Sequence, residues 1–299
     1  MLKILITGAN GMIAKHFEKK YGKEFELFFY TRNPKKEREY YWNVDNKEID
    51  FTPLLEADII LHLAGTNIAE KFWTSQRKHE ILKSRTTPLQ MMYDVLSKNK
   101  HQIKKIISVS AIGFYGMQNS ALLDENAEQG KGFLADVCKA WEQETQRFLH
   151  LGVESNIVRL GLVISNDGGI FPKLKKALTY RINLLFSKGE IWQNWIHVDD
   201  VVQIFNYIIS NQNAFNIINA VSPNPISQKD FNALLASKLN VKCFTFKVPL
   251  FIINTIFGEM RELFVQNIKV SPNALSKMQY TFLYENLEQV FDSILTVKK

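Results

Sequence analysis

Apolar residues in the first half of the chain form short unbroken runs, separated by stretches in which they recur every three to four residues. An unbroken run is typical of a strand buried on both faces, and the longer spacing is typical of an amphipathic helix. Ile13, Phe17 and Tyr21 show this helical spacing directly after the first run. Besides this first helix, the pattern predicts strands at 3–7, 25–30, 58–64, 104–110 and 156–164 and helices at about 74–98 and 133–151.

Strands that alternate with helices indicate βαβ units, and hence an α/β fold with a doubly wound parallel sheet. Right-handed crossovers place the C-terminal ends of the strands at one edge, where ligands bind. Later segments give a polar-aromatic loop at 192–200, a helix from about Asp199, a short strand at 215–220 and a helix capped by Ser227. From Pro249 onward short helices dominate, so the C-terminal region is expected to be smaller and mostly helical.

A glycine turn joins the first strand to the first helix. Free N–H groups and the helix dipole at such a junction favour an anion, and Ala14 at the third small position is compatible with helix–strand packing. Strand, turn and helix together predict a cradle for the pyrophosphate of a dinucleotide, and a plain tight turn is the alternative. The residues assigned to this cradle are Thr7, Gly8, Asn10, Gly11, Met12 and Ile13.

The end of the second strand indicates which dinucleotide is bound. An NAD site usually has Asp or Glu there to bind the ribose hydroxyls. This chain has Thr31 and Arg32 instead, with Lys35 and Lys36 close behind. A guanidinium forks onto a phosphate, which a carboxylate would repel. The sequence therefore favours NADP(H) over NAD, and a solvated basic turn is the other interpretation.

Composition narrows the class of partner. The chain has 299 residues, of which 46% are hydrophobic and 22% charged, and a formal net charge of +7. Its lysines and arginines are scattered, so we expect no nucleic-acid partner. Cys138 and Cys243 are isolated and the histidines lack metal-ligand spacing, which favours a reducing, cytoplasmic setting and no metal. The longest apolar stretch, 248–257, is too short to span a bilayer, so we expect no membrane partner.

Several further segments carry a family resemblance. One is Leu63-Ala64-Gly65 with the following 73–85, and another is 108–116, which reads Ser-Val-Ser-Ala-Ile-Gly-Phe-Tyr-Gly. The others are 133–142, 195–200 and the tail 248–291. Together with the glycine spacing, they resemble an atypical branch of the extended short-chain dehydrogenases/reductases, the sugar-nucleotide-epimerase-like "epimerase family protein" group.

The resemblance implies a domain organisation and a set of cofactor contacts. It implies an NADP-binding Rossmann domain at 1–165, to which 195–221 returns. A C-terminal substrate-side region would occupy 166–299, with a family-specific module at about 248–297. The further residues implied to bind the cofactor are Thr31, Arg32, Leu63, Ala64, Gly65, Glu80, Arg85, Ser108, Lys139 and Leu162.

The acid/base group of the superfamily is missing. Members of the superfamily use Tyr-x-x-x-Lys on one helical face, and the lysine lowers the tyrosine pKa so that the hydroxyl can exchange a proton. Lys139 matches the lysine, but Ala135 stands at the tyrosine position and Ala111 at the usual Ser/Thr position. Lys139, Tyr115 and Ser110 are the catalytic candidates.

Each catalytic candidate also has a plainer interpretation. Tyr115 can be a wall residue, and Ser108 and Ser110 can cap a strand end. The role of Lys139 can be limited to holding the nicotinamide ribose. Two other residues, Asp136 and His197, could replace the tyrosine. Asp136 is expected to be a solvated carboxylate and His197 to make a structural hydrogen bond to the following helix.

Two functions remain open from the sequence. The first is an NADP-dependent oxidoreductase or epimerase-like enzyme that acts on a carbonyl or sugar-nucleotide-like small molecule with a non-standard acid/base. The second is a non-catalytic NADP-binding sensor or scaffold, suggested by the absence of the tyrosine. Either a monomer or a homodimer that pairs through the two long helices is compatible with the resemblance.

Overall fold

The computed structural model describes residues 1–117, 122–211 and 214–295. Its strands are β1 (Lys3–Thr7), β2 (Glu26–Thr31), β3 (Glu39–Asn43), β4 (Glu48–Ile49), β5 (Ile59–His62), β6 (Lys105–Ala111), β7 (Glu154–Leu160), β8 (Leu162–Ile164), β9 (Ile182–Phe186), β10 (Trp192–Gln193), β11 (Trp195–His197), β12 (Ile217–Ala220), β13 (Ile226–Ser227) and β14 (Phe244–Val248). Its α-helices are α1 (Met12–Tyr21), α2 (Thr52–Glu56), α3 (Ser75–Leu96), α4 (Phe133–Gln146), α5 (Phe171–Thr179), α6 (Val198–Ser210), α7 (Gln228–Lys238), α8 (Leu250–Phe257), α9 (Glu262–Val265), α10 (Asn273–Lys277) and α11 (Leu287–Leu295).

The described part of the chain contains an eight-stranded sheet in the order β12-β7-β6-β5-β1-β2-β3-β4. Strand β1 pairs in parallel with both β2 and β5, β2 with β3, and β5 with β6, whereas β4 is antiparallel to β3. Helix α1 joins β1 to β2 and helix α3 joins β5 to β6, as parallel crossover connections usually do. The predicted α/β, Rossmann-type architecture with a mostly parallel sheet is therefore confirmed.

The strand predicted at 156–164 is interrupted in the structure. It divides at Gly161 into β7, which stays in the large sheet, and β8, which pairs with β11. Gly161 donates a hydrogen bond to the Ala220 carbonyl, and Leu162 donates one to the Asn194 carbonyl at 2.7 Å. A Cβ atom at Gly161 would collide with the same Asn194 carbonyl, so this branch point requires glycine.

The chain divides into two compact units that differ from the predicted domain boundaries. The first unit comprises Met1–Ala111, Asp136–Arg159 and Val202–Ile218, and the second comprises Ile112–Ala135, Leu160–Val201 and the chain from Asn219 onward. Residues 202–218 belong to the first unit, and the return of 195–221 to the Rossmann domain stays a prediction. The predicted module at about 248–297 falls in the second unit, with residues 296 and 297 outside the described ranges.

The first unit places its helices on a sheet whose central strands are almost fully buried. Strand β1 is buried from Ile4 to Thr7, which explains the absence of polar alternation in its sequence. Helix α1 buries Ala14, Phe17 and Tyr21, and the ring of Phe17 stacks on that of Phe25 with 6.2 Å between centroids. These contacts hold the helix against its unit along the face that carries Ala14, Phe17 and Tyr21.

The second unit has its own core and several short elements. Phe171, Trp195, Phe231 and Phe291 belong to one buried apolar cluster, to which α5, α7 and α11 contribute. Ser227 caps α7 as predicted, because its hydroxyl accepts a hydrogen bond from the Asp230 amide at 3.1 Å. Among the described helices, none is both long and apolar enough to cross a bilayer.

Candidate functional site

A cavity of about 740 Å³ lies in the first unit at the C-terminal ends of β1, β2 and β5. This volume is within the range of about 300–1,000 Å³ that is usual for small-molecule sites. The glycine turn, the segment after β3 and one face of α3 complete its lining. The lining residues predicted from the sequence are Gly8, Asn10, Gly11, Thr31, Arg32, Leu63, Ala64, Gly65 and Glu80.

The glycine turn is shaped by close backbone contacts. Gly8 has a φ of +75°, and a Cβ atom there would lie 2.9 Å from the Leu63 carbonyl carbon and oxygen. Gly11 closes the turn by donating to the Gly8 carbonyl at 2.8 Å. Both the positive φ and the approach to the chain after β5 require glycine at position 8.

The N-terminus of α1 is available to an anion. Gly11 is its N-cap, and within the described structure no side chain caps the helix and no acidic residue occupies its first turn. The first amides of a helix have no intrahelical acceptor, and here they include those of Met12 and Ile13. Because the described residues supply no anion to this terminus, it fits the pyrophosphate of a dinucleotide.

Thr7 acts from beneath the cavity rather than from its wall. Its side chain is fully buried, and its Oγ1 accepts hydrogen bonds from the amides of Leu63 and Ala64, both at 3.1 Å. These bonds fix the backbone that leaves β5, which does line the cavity. Thr7 thus supports two residues that line the site, and its own contact with the cofactor stays a prediction.

Arg32 is exposed at the end of β2 and lines the cavity. In the described ranges its guanidinium has no ion-pair or hydrogen-bond partner, so it is free to bind a phosphate. Lys35 and Lys36 do not line the cavity, and their backbone amides donate to the Glu39 carboxylate at 2.6 and 3.1 Å. Of Arg32, Lys35 and Lys36, the three basic residues noted in this turn, Arg32 is therefore the one that lines the cavity.

Part of the cavity wall was missed because β3 was not predicted. Trp42 lies in β3, and Val44 and Asp45 follow it, and all three line the cavity. The Trp42 ring stacks on that of Tyr30 with 5.0 Å between centroids, and burial raises the pKa of the Tyr30 hydroxyl, which stays protonated. The aromatic run at 40–42 was the sequence signal that could have identified this strand.

Arg77, also missed, organises the loop beside α3. Its side chain is 7% exposed and donates to the Asn67 carbonyl at 2.6 Å and to Thr66 Oγ1 at 3.2 Å. It also pairs with Glu80 at 3.0 Å, which places that carboxylate against a fixed cation. The remaining α3 residues of the lining, none of them predicted, are Gln76, His79, Lys83, Ser84 and Pro88.

Arg85 is turned away from the cavity that it was predicted to reach. Its guanidinium donates to the carbonyls of Ile81 at 3.0 Å and Thr66 at 3.1 Å, and it lies 5.1 Å from the centre of the Trp141 ring. Burial lowers its pKa to about 10. A Cβ atom at Gly65 would lie 3.3 Å from the Arg85 Cζ, so Arg85 supports the loop from behind.

Ser110 belongs to a buried polar network in the first unit. Its hydroxyl donates to Glu142 Oε1 at 2.8 Å, and Arg159 donates to both oxygens of the same carboxylate at 2.9 and 2.8 Å. Ser108 is 1% exposed and donates to the Val109 carbonyl. The predicted catalytic role of Ser110 and cofactor role of Ser108 gain no support from these positions, because both hydroxyls are buried against protein groups.

Tyr115 and Leu162 lie in the second unit. The Tyr115 ring is fully buried, and its hydroxyl donates to Asn219 Oδ1 at 2.8 Å. Leu162 is half-buried against the apolar cluster of that unit. The Tyr115 hydroxyl is thus bound to another side chain in the interior of this unit, and its predicted acid/base role gains no support. His197 makes the expected structural bond, since its Nδ1 accepts from the Asp199 amide at 3.2 Å.

Helix α4 carries Lys139, whose side chain is exposed and has no partner among the described residues. Ala135, at the position of the missing tyrosine, is fully buried. Glu262 caps the N-terminus of this helix, because its two carboxylate oxygens accept from the amides of Phe133 and Leu134, each at 3.0 Å. A residue of the C-terminal segment therefore fixes the first turn of the helix that presents Lys139.

Comparison with sequence families gives two matches. A profile described as the NAD dependent epimerase/dehydratase family matches residues 4–220. A second profile, described as a domain of unknown function (DUF1731), matches residues 248–294, the segment expected to form a family-specific module. Over 299 residues the chain is 28% identical to Epimerase family protein SH2119 of Staphylococcus haemolyticus, and the alignment covers 99% of each protein.

Solved structures show the same fold. The human epimerase family protein SDR39U1 (isoform 2), solved with NADPH, has a TM-score of 0.86 at 19% identity, covering 99% of this chain and 100% of that one. A nucleoside-diphosphate sugar epimerase from Corynebacterium glutamicum has a TM-score of 0.81 at 26% identity, covering 100% of this chain and 59% of that one. The matched profile, the Staphylococcus relative and both solved structures are therefore all described as epimerases or epimerase family proteins.

Proposed function

Because the chain belongs to the NAD dependent epimerase/dehydratase family, we propose that it binds NADP(H) and is an oxidoreductase or epimerase-like enzyme. Its substrate class is a carbonyl compound or a sugar-nucleotide-like small molecule. One observation carries the proposal: a single cavity joins the uncapped α1 N-terminus at the glycine turn to the unpaired guanidinium of Arg32. A helix N-terminus suits a pyrophosphate, and a free guanidinium suits a further phosphate.

The choice of NADP(H) over NAD rests on the charges at the end of β2. Arg32 lines the cavity where an acidic residue would select NAD, and the nearby Glu39 is occupied by the amides of Lys35 and Lys36. The solved human relative in fold was crystallised with NADPH, which agrees with this choice. Asp45 also lines the cavity, so the test must compare both dinucleotides directly.

A bound nicotinamide dinucleotide supplies hydride transfer, and the chain must supply binding, orientation and a proton. The amides of α1 and Arg32 bind the phosphates, while the backbone at Leu63 and Ala64, held by Thr7, shapes the wall. Lys139 offers an exposed ammonium with three donors and is the group we assign to contact ribose or substrate oxygen. Ala135 has no proton to exchange, so the acid/base is not the usual tyrosine.

The binding test is a titration of the full chain with NADPH and, separately, with NADH. Binding is measured by the quenching of tryptophan fluorescence. We expect tighter binding of NADPH. Equal affinities would remove the proposed role of Arg32, and absence of binding by both would contradict the function as a whole.

The catalytic test uses the cofactor-loaded chain with a panel of aldehydes, ketones and sugar nucleotides, monitoring NADPH absorbance and product epimers. We expect multiple turnovers for the natural sequence. Turnover should fall in Lys139→Met and be partly restored in Lys139→Arg. Tight NADPH binding without turnover across the panel would instead favour the second candidate, an NADP-binding sensor or scaffold in the cytoplasm. This second candidate is supported by the burial of the Ser110 and Tyr115 hydroxyls, which are both bound to other side chains.

A further inference from the structure

A parallel two-stranded ribbon in the second unit exposes an apolar face. Strands β9 and β14 pair with Phe244 beside Ile182 and Phe246 beside Leu184. These four side chains are 72, 42, 55 and 43% exposed, respectively. The opposite face differs, because Asn183, Leu185, Thr245 and Lys247 line a cavity of about 720 Å³. Within the described structure the ribbon therefore has one face over this cavity and one exposed apolar face.

The outer edge of β14 is also unpaired. In the described ranges β14 pairs with β9 alone, and all its residues except Val248 are exposed. The edge of β9 is protected, since the Phe186 amide donates to Gln228 Oε1 and Asn232 donates to the Leu184 carbonyl. Exposed apolar edge strands are rare in stable monomers because they recruit another strand.

The hydrogen bonds to β9 show which backbone groups of β14 face outward. Phe244 donates to the Arg181 carbonyl, and the Val248 carbonyl accepts from Ser187, so even-numbered residues direct their polar groups towards β9. Successive residues of a strand direct these groups to opposite sides. Thr245 and Lys247 therefore present free N–H and C=O groups at the open edge.

We propose that β14 pairs with β14 of a second copy of this chain, antiparallel about a two-fold axis at Thr245. In this register Thr245 faces Thr245 of the second copy, and each donates to the carbonyl of the other. Phe244 then lies opposite Phe246 of the second copy, giving two aromatic cross-strand pairs on the apolar face. Lys247 faces Cys243, so no like charges oppose each other. The ribbon becomes a continuous four-stranded sheet.

The sequence of β14 is self-complementary in this register, which favours a second copy over a foreign strand. Phe244 and Phe246, the two apolar side chains of β14 on the exposed face, are 72 and 55% exposed, which amounts to roughly 250 Å² per copy, taking about 200 Å² for each whole side chain. Cross-strand contact between these rings removes part of this area from water. The interface differs from pairing through the two long helices and does not depend on the proposed function.

The first test measures the mass of the full chain by sedimentation velocity. We expect a dimer for the natural sequence and a shift to monomer for Phe246→Glu and for Thr245→Pro, which removes an outward N–H. The dimer dissociation constant should rise at least about tenfold in each. Phe51→Glu is the matched control, because Phe51 is 52% exposed and lies outside the ribbon, just before α2, and this variant should remain a dimer. A monomeric natural chain at all concentrations, or a dimer unaffected by Phe246→Glu, would overturn the proposal.

The second test fixes the register by disulfide formation. In a Cys243→Ser background, Thr245→Cys should form an intermolecular disulfide on mild oxidation, since facing strands are about 5 Å apart. Asn183→Cys is the control: Asn183 lies beside Thr245 on the same face but one strand further from the axis, so its two copies would be about 14 Å apart. Cross-linking of Asn183→Cys instead of Thr245→Cys would contradict the proposed axis.

Discussion

The hydroxyl of Thr7 donates a hydrogen bond to Nδ1 of His62, with 2.8 Å between the two atoms. The direction follows from the other bonds of the hydroxyl, whose oxygen already accepts from two backbone amides and has a single proton to give. Nδ1 of His62 is then an acceptor, which assigns the ring proton to Nε2 and leaves the imidazole neutral. Burial lowers the pKa of His62 to about 3, in agreement with this state.

The buried neutral His62 should make the protein acid-sensitive. Its pKa is about 3 in the folded chain and 6.5 in the unfolded one, so below pH 6.5 the unfolded chain binds the extra proton. Stability present above pH 6.5 is therefore lost as the pH falls towards 3, by up to about 1.4 kcal/mol per pH unit. His62→Asn keeps an acceptor for Thr7 and does not titrate. Urea unfolding at pH 7, 6, 5 and 4 should show the two stabilities converging or crossing, and parallel curves would contradict this role.

Removal of the Thr7 hydroxyl should affect both stability and cofactor binding. Thr7→Val leaves the amides of Leu63 and Ala64 without their acceptor, at a cost of about 1–3 kcal/mol in the free energy of unfolding. The same backbone lines the cavity, so NADPH affinity should fall as well. Thr7→Ser keeps the hydroxyl and is the control. Urea unfolding and NADPH titration check both effects, and a Val variant equal to the Ser variant would rule out the hydroxyl as the cause.

Arg32 should discriminate between the two dinucleotides. Arg32→Ala removes the unpaired guanidinium from the cavity, and loss of one charge-assisted phosphate contact should weaken NADPH binding about 10- to 100-fold. NADH affinity should change little because NADH lacks the extra phosphate. Arg38→Ala removes the same charge from an arginine that pairs with Glu26 and does not line the cavity. Calorimetric titration of both variants checks the prediction, which fails if Arg32→Ala weakens the two dinucleotides equally.

Removal of one member of the Glu142–Arg159 ion pair should lower the free energy of unfolding more than removal of both. Both side chains are almost fully buried, so Arg159→Met leaves an uncompensated carboxylate and should destabilise the protein by about 3–5 kcal/mol. Glu142→Leu combined with Arg159→Met removes both charges and should recover much of this loss. Urea unfolding of the two single variants and the double variant gives the coupling energy. Additive effects would show that the ion pair does not hold α4 against β7.

Much of the fold could be predicted from local patterns. The unbroken runs at β1, β2, β5 and β6 and the glycine turn identify a Rossmann-type sheet and its cofactor edge. The family resemblance is confirmed by the matched profile. These features depend on residues close together in the chain, where apolar spacing and glycine have a direct structural meaning.

The remaining features depend on distant partners. Gly161 ends β7 because the Asn194 carbonyl approaches it, and no pattern around Gly161 reveals that contact. Arg85 is of a residue type that often binds cofactor phosphates. Its contacts with the Trp141 ring and the Thr66 carbonyl hold its guanidinium behind the loop instead. Side-chain orientation of this kind is set by tertiary packing, so predicted site residues on one helix can point to different places.

The capping of α4 by Glu262 has a consequence for the order in which the chain matures during synthesis. Phe133 precedes Glu262 by 129 residues, which at about 5–20 residues per second corresponds to a delay on the order of 10 s. During this interval the first turn of the helix is made but its two amides lack their carboxylate. A ribosome-bound chain can thus assemble the strands beside the glycine turn early, while the helix that presents Lys139 receives its cap only after Glu262 has been synthesised.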